Sequence, residues 1–445
     1  MEARTISLPS KERGIPLLWN RLTARFSQIP LLAWLLGALA AVLVEYLLGS
    51  PLARVLGLGK IPPLFGFSII FSKPALIPSV LIYIFVVYVL PTLIVARLSR
   101  TVANKIAAWL LNYPMVISVV VHIGLLYASL HLWSILSDYR VLIVRLILIA
   151  IMITLSLNVI NGYMGEFSCS HPGFIALGAY GTSVVTVLAF VNDDVFGAAL
   201  LPAFLGPFLF PVALILGGLV AALAALLVAI PSFRTRGDYL AIISLAFTFI
   251  VKSLIENLEI IGGPRGFMNQ PDWANLPTVF LWTIVCIWII NNFVRSTYGK
   301  ALNAVRDNEM AADAMTVNTR NTKMVAFLFA AFWAGVAGGL FAHVMRYVNP
   351  STFGIQKLAE VLAMVYFGGL NSVVGSIVGA VGLNILGESL RALEIYKWVI
   401  IPILLILVMI YRPTGLISFK EFDVKKLLEP KKEQEAEVVH VVASN

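Results

Sequence analysis

The sequence predicts an all-α polytopic membrane protein with about 11–12 transmembrane helices, some of them short or broken. Three observations carry this expectation. Of 445 residues, 60% are hydrophobic and 12% are charged, whereas soluble domains hold roughly a quarter charged residues. The apolar residues fall in runs long enough to cross a bilayer core, which takes about 20 residues each. The formal net charge of +9 sits mostly between those runs, where the positive-inside rule places Lys and Arg. This composition excludes an ordinary cytosolic enzyme, a disordered protein and a disulfide scaffold, and the charge reports topology rather than nucleic-acid binding.

Taken in order, residues 1–30 are polar and basic (Arg4, Lys11, Arg13, Arg21, Arg25) and read as the cytoplasmic flank of a retained first span, not a cleaved signal. Spans are expected near 31–48, 76–96, 114–134, 141–160, 172–190, 206–230, 239–260, 277–294, 324–345 and 396–411. The apolar stretch 358–388 is too long for one span. Gly368-Gly369 and Asn371-Ser372 interrupt it, so it divides into two short membrane helices. Basic residues follow the second span (Arg97, Arg100, Lys105), the sixth (Arg234, Arg236) and the eighth (Arg295, Lys300, Arg306, Arg320, Lys323). They recur in the tail (Arg412, Lys420, Lys425, Lys426, Lys431, Lys432). All four groups share one side if both termini are cytoplasmic, and an even span count agrees. The segments assigned outside are short: 49–75, with Pro51, Pro62, Pro63 and Pro74, and the Gly- and Pro-rich 262–277. The charged stretch after 420 reads as disordered or as a short surface helix. With no soluble domain, any external recognition or energy supply must come from another chain.

Two segments stand out chemically. In the loop 295–323, residues from Lys300 to Met315 are mostly good helix formers without Pro or Gly. Leu302, Val305, Ala312 and Met315 can share an apolar face, with Arg306, Asp307, Glu309 and Asp313 supplying charge. Such a helix either lies on the bilayer as a connector or docks into a groove of a cytoplasmic partner. The segment Asn161–Gly181 places Asn161, Glu166, Ser168, Ser170 and His171 among glycines inside an apolar region. It is either irregular backbone lining a cavity or a Gly-rich turn at the interface.

Other features are quieter. Gly335 and Gly339, and Gly375, Gly379 and Gly382, have the spacing of close helix packing. Glu45, Arg145, Lys252, Glu256, Glu259, Glu360 and Glu388 lie mostly near span ends, where they can snorkel, and form no convincing proton relay. Cys169 and Cys286 lack metal-ligand spacing. No phosphate loop, HExxH, GxSxG, CxxC, EF-hand loop or channel filter occurs. The expectation is therefore no catalytic residues, no metal and no enzymatic activity in this chain.

Three stretches carry a family resemblance: GYMGEFSCSHPGFIALGAYG; RGDYLAIISLAFTFIVKSLIENLEIIGGPRG; and STYGKALNAVRDNEMAADAMTVNTRNTKMVAFLFAAFWAGVAGGLFA. With FGGLNSVVGSIVGA, and in this order, the chain resembles the LivM-type membrane permease subunits of bacterial ATP-binding-cassette (ABC) importers for branched-chain amino acids, from about residue 141 to 415. It departs from the family pattern at Glu166, Cys169, Ser244 and Thr248 or Phe249. It departs again at Thr316-Val317, where Gly-Ile is typical. The resemblance implies an ABC importer permease fold in three parts. Residues 1–140 form an N-terminal cytoplasmic segment plus extra transmembrane helices, 141–415 the permease core with the coupling loop, and 416–445 a charged cytoplasmic tail.

It further implies that Gly299, Ala301, Arg306, Asp307, Glu309, Ala311, Ala312 and Ala314 couple the chain to an ATPase. On that reading Asn161, Ser168, Ser170 and His171 are the polar lining of the substrate path. The implied partners are a second, LivH-like permease, two cytoplasmic ATPase subunits that bind and hydrolyse ATP, an external amino-acid-binding protein and membrane lipid. No nucleic acid and no cofactor in this chain are implied. The implied location is the bacterial inner membrane. The open alternatives are an ABC permease for urea or short amides and a secondary amino acid transporter.

Overall fold

The computed structural model describes residues 29–58, 74–192, 196–233, 239–391, 396–412, 414–419 and 422–430. Arg4, Lys11, Arg13, Arg21, Arg25, Pro62, Pro63, Arg234, Arg236, Lys420, Lys431 and Lys432 lie outside them. The described residues are helical apart from turns, loops and isolated bridges, among them an antiparallel one between Phe267 and Val348. Two compact units divide the chain. The smaller comprises 1–63, 75–133 and 423–445, and the larger 64–74 and 134–422.

In the smaller unit, α1 (Leu31–Val55) packs on α2 (Ile77–Leu98). Gly37 permits the approach: a Cβ there would stand 2.6 Å from the Thr92 carbonyl oxygen. A π-helical stretch, Phe85–Val89, interrupts α2 just before Pro91, whose ring cannot fit an unbroken α-helical ladder. The connection holding Arg100 and Lys105, expected as a basic link, is a helix, α3 (Arg100–Leu110). Its sequence is rich enough in good helix formers to close three turns. α4 (Met115–Ser134) and the short α16 (Val424–Leu428) complete this unit.

The larger unit is built around α5 (Asp138–Asn158), which continues as a π-helical stretch, Val159–Met164. From Leu148 to Met164 every side of this helix is buried, as expected of a run apolar all round. Around it stand α6 (His171–Phe190), α7 (Gly206–Ser232), α8 (Tyr239–Asn257) and α9 (Leu276–Arg295). α10 (Thr297–Asp307), α11 (Glu309–Ala314) and α12 (Thr319–Met345) follow. α13 (Ile355–Gly368), α14 (Val373–Ser389) and α15 (Lys397–Tyr411) close the unit. Among the described residues, nine helices are long and apolar enough to cross a membrane, and α13, α14 and α15 are shorter. The division of 358–388 falls at the expected glycines. Gly369 (φ 132°) and Asn371 (φ 54°) turn the chain, and the Ser372 side chain caps α14 by accepting the Gly375 N–H at 3.0 Å.

The tightest packing joins α6, α7 and α12. A Cβ on Gly178 would stand 2.1 Å from the Gly335 carbonyl oxygen, and one on Gly338 would stand 2.1 Å from that of Ile175. Gly379 similarly meets the Met364 carbonyl oxygen at 2.1 Å. These are backbone-to-backbone approaches that only small residues permit. Exposed Leu, Ile and Val side chains cover α7, α8 and α15, the surface a bilayer solvates.

The loop helix differs from expectation. Instead of one helix from Lys300 to Met315 there are two, broken at Asn308, which is extended (φ −162°, ψ 105°). Its side chain accepts the Ala311 N–H at 3.0 Å. Asn competes with helical backbone by making this local bond. Leu302, Val305 and Ala312 are buried as the apolar face requires, but Met315 is 76% exposed.

Candidate functional site

The two chemically notable segments meet at one junction at the end of α5. The π-helical stretch ends at Gly165, whose φ of 77° suits glycine. Its missing Cβ makes room for Arg306, whose Cγ would lie 2.3 Å from it. The Arg306 guanidinium reaches the Gly162 carbonyl oxygen at 3.4 Å, bonds Asp307 at 2.8 Å and lies over the Phe419 ring. Phe419 belongs to a segment held by α13, with Leu416 N–H donating to the Phe367 oxygen and Ile417 N–H to that of Gly368.

One turn into α12, the buried Lys323 joins both segments. Its Nζ donates to Glu166 Oε1 at 2.6 Å and to Glu309 Oε2 at 2.9 Å. Glu166 sits on the loop 165–170 and Glu309 opens α11, so one ammonium ties the two-part helix to the membrane-embedded helices. The Glu166 departure from the family pattern thus has a structural partner.

The other departures also pair. Cys169 N–H donates to Ser244 Oγ at 2.8 Å, and Thr248 Oγ1 donates to the Cys169 carbonyl oxygen at 2.8 Å. Two hydroxyls of α8 therefore clamp the loop, and burial pushes the Cys169 thiol above its ordinary range. Thr316, standing where the family has Gly, adopts φ 67° after α11. Thr316 N–H bonds the Asp313 oxygen and Val317 N–H that of Ala312, the hydrogen-bond pattern of a glycine-type helix stop. A β-branched residue is strained there by about 1–2 kcal/mol. Thr316→Gly is expected to stabilise the solubilised chain by about 1 kcal/mol in a thermal melt, and a lowered melting temperature contradicts this.

Of the implied coupling residues, Gly299 and Ala312 are buried and Ala301 and Arg306 half-buried. Asp307, Glu309, Ala311 and Ala314 are exposed. Gly299 allows α10 to turn back on α9, since a Cβ would meet the Val294 oxygen at 1.9 Å. Met310, 77% exposed, joins Met315 on the outward side, giving the exposed surface two adaptable apolar side chains.

Asn161, Ser168, Ser170 and His171 are all buried, and the first three are joined by hydrogen bonds. Ser168 N–H donates to Asn161 Oδ1 at 3.3 Å, and the Ser168 and Ser170 hydroxyls bond at 2.8 Å. His171 Nε2 meets Ser156 Oγ at 3.2 Å. That hydroxyl already donates to the Ile153 oxygen, so the imidazole donates through Nε2. This tautomer leaves Nδ1 a buried acceptor with no partner among the described residues.

Asn158 escaped the sequence reading. Its Nδ2 donates to Ser376 Oγ at 2.6 Å and to the Ser372 oxygen at 3.0 Å, and its Oδ1 accepts the Asn371 N–H at 3.2 Å. It fastens the α13–α14 turn to α5. The available signal was an Asn inside an otherwise apolar span.

Five of the charges near span ends, Arg145, Lys252, Glu256, Glu360 and Glu388, are locally paired. Arg145 reaches Asp272 at 3.7 Å and Lys357 reaches Glu360 at 3.0 Å, while Glu388 bonds Arg391 and Tyr139. Lys252 and Glu256 stand 3.7 Å apart. They form local pairs, not a chain of carboxylates across the bundle.

The larger unit is thus a bundle of apolar helices with a two-part loop helix tied to it through Arg306 and Lys323, the architecture of a polytopic membrane protein. The family model described as "Branched-chain amino acid transport system / permease component" matches residues 139–409, within the larger unit. The chain belongs to that family. It is 31% identical over 318 residues to the high-affinity branched-chain amino acid transport system permease protein LivM of Escherichia coli K12, covering 64% of this chain and 71% of that protein. LivM of Salmonella typhimurium LT2 is 32% identical over the same shares. LivH of the latter organism is 26% identical over 179 residues, covering 38% of this chain and 56% of LivH. No solved structure matches the chain.

Proposed function

We propose that this chain is one membrane half of an ABC importer for branched-chain amino acids, paired with a LivH-like permease in a bacterial inner membrane. The reading rests on family membership for the substrate class and, for mechanism, on the Lys323 bridge between Glu166 and Glu309. Two cytoplasmic ATPases would supply ATP hydrolysis, and an external amino-acid-binding protein would deliver substrate. Both termini are assigned to the cytoplasm from the distribution of Lys and Arg.

In this mechanism the exposed side of α10 and α11, with Asp307, Glu309, Met310, Ala311 and Ala314, docks into an ATPase groove. Movement of that helix pair reaches the core by two ties, Lys323 to Glu166 and Arg306 to Gly162. Both ties end on the stretch 162–166, next to the buried Asn161, Ser168, Ser170 and His171. Displacing that stretch would open polar groups to a zwitterionic substrate, while the surrounding apolar helices accept its aliphatic side chain. The free Nδ1 of His171 offers an acceptor for a substrate ammonium group. The permease itself makes and breaks no covalent bond.

His171→Ala is expected to change leucine uptake several-fold while assembly persists, and unchanged uptake kinetics return His171 to a packing role. Pull-down of the tagged chain from membranes, followed by mass spectrometry, tests the proposal as a whole. Two ATPases and a second permease are expected. A chain recovered alone, and transporting leucine unaided, overturns it.

A further inference from the structure

We propose that α3 is a binding site for anionic phospholipid headgroups at the cytoplasmic face of the bilayer. This inference concerns the smaller unit, which lies outside the family match, and it goes beyond the transport reading. α2 ends at Leu98 and α4 begins at Met115. The link between two consecutive crossings starts and finishes on one side of the membrane, so α3, about 16 Å long, stays at that surface.

Residues 97–113, comprising α3, the last residues of α2 and the turn after α3, divide into three stripes. Ala103, Ala107 and Leu110 are buried and turn inward, toward α1. Leu98, Val102, Ile106, Trp109 and Tyr113, spaced three and four apart, are all exposed and form one apolar stripe. Trp109 and Tyr113 pack edge to face at 4.9 Å, the residue types that settle at the headgroup boundary. The third stripe is polar and carries exposed Arg97 and Lys105. No described side chain forms an ion pair with either.

Sequence charge argues for a lipid occupant over a protein one. In the link between the second and third spans, residues 97–114 hold no Asp or Glu, while Arg97, Arg100 and Lys105 are basic. An apolar stripe flanked by the exposed Arg97 and Lys105 matches acyl chains beneath phosphate headgroups. The acidic residues interspersed on α10 and α11 set those helices apart from this pattern.

The test is native mass spectrometry of the full-length chain in detergent, titrated with phosphatidylglycerol and, separately, with phosphatidylcholine. The wild-type chain is expected to prefer phosphatidylglycerol. R97Q/K105Q should lower that affinity roughly thirtyfold, about fivefold per lost charge, and leave phosphatidylcholine binding unchanged. R97K/K105R should keep the wild-type preference, which separates charge from a folding defect. Wild-type phosphatidylglycerol affinity in R97Q/K105Q overturns the assignment. So does a wild-type chain that does not discriminate the lipids, or a dimer that dissociates in R97Q/K105Q, since a second copy would then be the occupant.

Discussion

Replacing Lys323 with Met is expected to reduce ATP-driven uptake about tenfold or more while leaving membrane insertion near normal. The buried ammonium holds two carboxylates at 2.6 and 2.9 Å. Removing one partner of a buried pair leaves the other charge uncompensated, which costs about 3–5 kcal/mol when burial is complete. Here Glu166 is 28% and Glu309 51% exposed, so water recovers part of that cost and about 2 kcal/mol remains. The loss falls on α11, a six-residue helix with only Ala312 buried, too short to hold its position alone. ATPase subunits should still bind and hydrolyse ATP, without moving substrate in step. Adding Glu166→Gln and Glu309→Gln to Lys323→Met should restore thermal stability, because no unpaired charge remains, but not transport. Wild-type uptake by Lys323→Met, measured beside its ATPase rate, removes the bridge from the mechanism. Glu309→Lys attacks the same tie from the other side and should uncouple as well.

Enlarging Gly178 is expected to cause the greatest loss of folded protein. A Cβ there stands 2.1 Å from the Gly335 oxygen and 2.3 Å from its Cα, and backbone atoms cannot rotate away. α6 and α12 would have to separate, also disturbing α7, where Gly217 meets Thr182 and Gly178. Gly178→Leu should destabilise by about 3 kcal/mol or more, at or beyond the upper end for overpacking. Fluorescence-detected size exclusion should then show little monodisperse protein. Gly124→Ala and Gly387→Ala are the controls, because nothing lies within 4 Å of a Cβ at either position. Both should be neutral or stabilising by up to about 1 kcal/mol, as alanine favours helix. A monodisperse Gly178→Leu with an unchanged melting temperature contradicts the packing account.

The membrane-spanning pattern was legible because hydrophobic run length is a direct signal. Even the division of 358–388 followed from Gly368, Gly369 and Asn371, which demand a turn. Helix α3 was not legible, since eleven residues of mixed polarity between spans read equally as loop. The break at Asn308 was missed because helix propensity was summed across a residue whose side chain caps the next helix. At the junction, sequence named Glu166, Arg306, Glu309 and Lys323 but could not bring them together. Glu166 and Lys323 are 157 residues apart, and only the packing of α5, α6 and α12 joins them. Cys169, Ser244 and Thr248 looked like three separate departures from a family pattern until their hydrogen bonds made them one clamp. Side-chain pairing across distant helices has no period in the sequence, so it stays silent until the fold exists.

The central claim is that this chain moves substrate only when a partner ATPase pulls on α10 and α11. Leucine uptake into proteoliposomes carrying the co-purified assembly, with ATP supplied on the ATPase side, tests it most directly. The predicted result is uptake that requires hydrolysable ATP and persists when proton and sodium gradients are collapsed. Uptake by the chain alone, driven by an ion gradient with no ATP present, would contradict it.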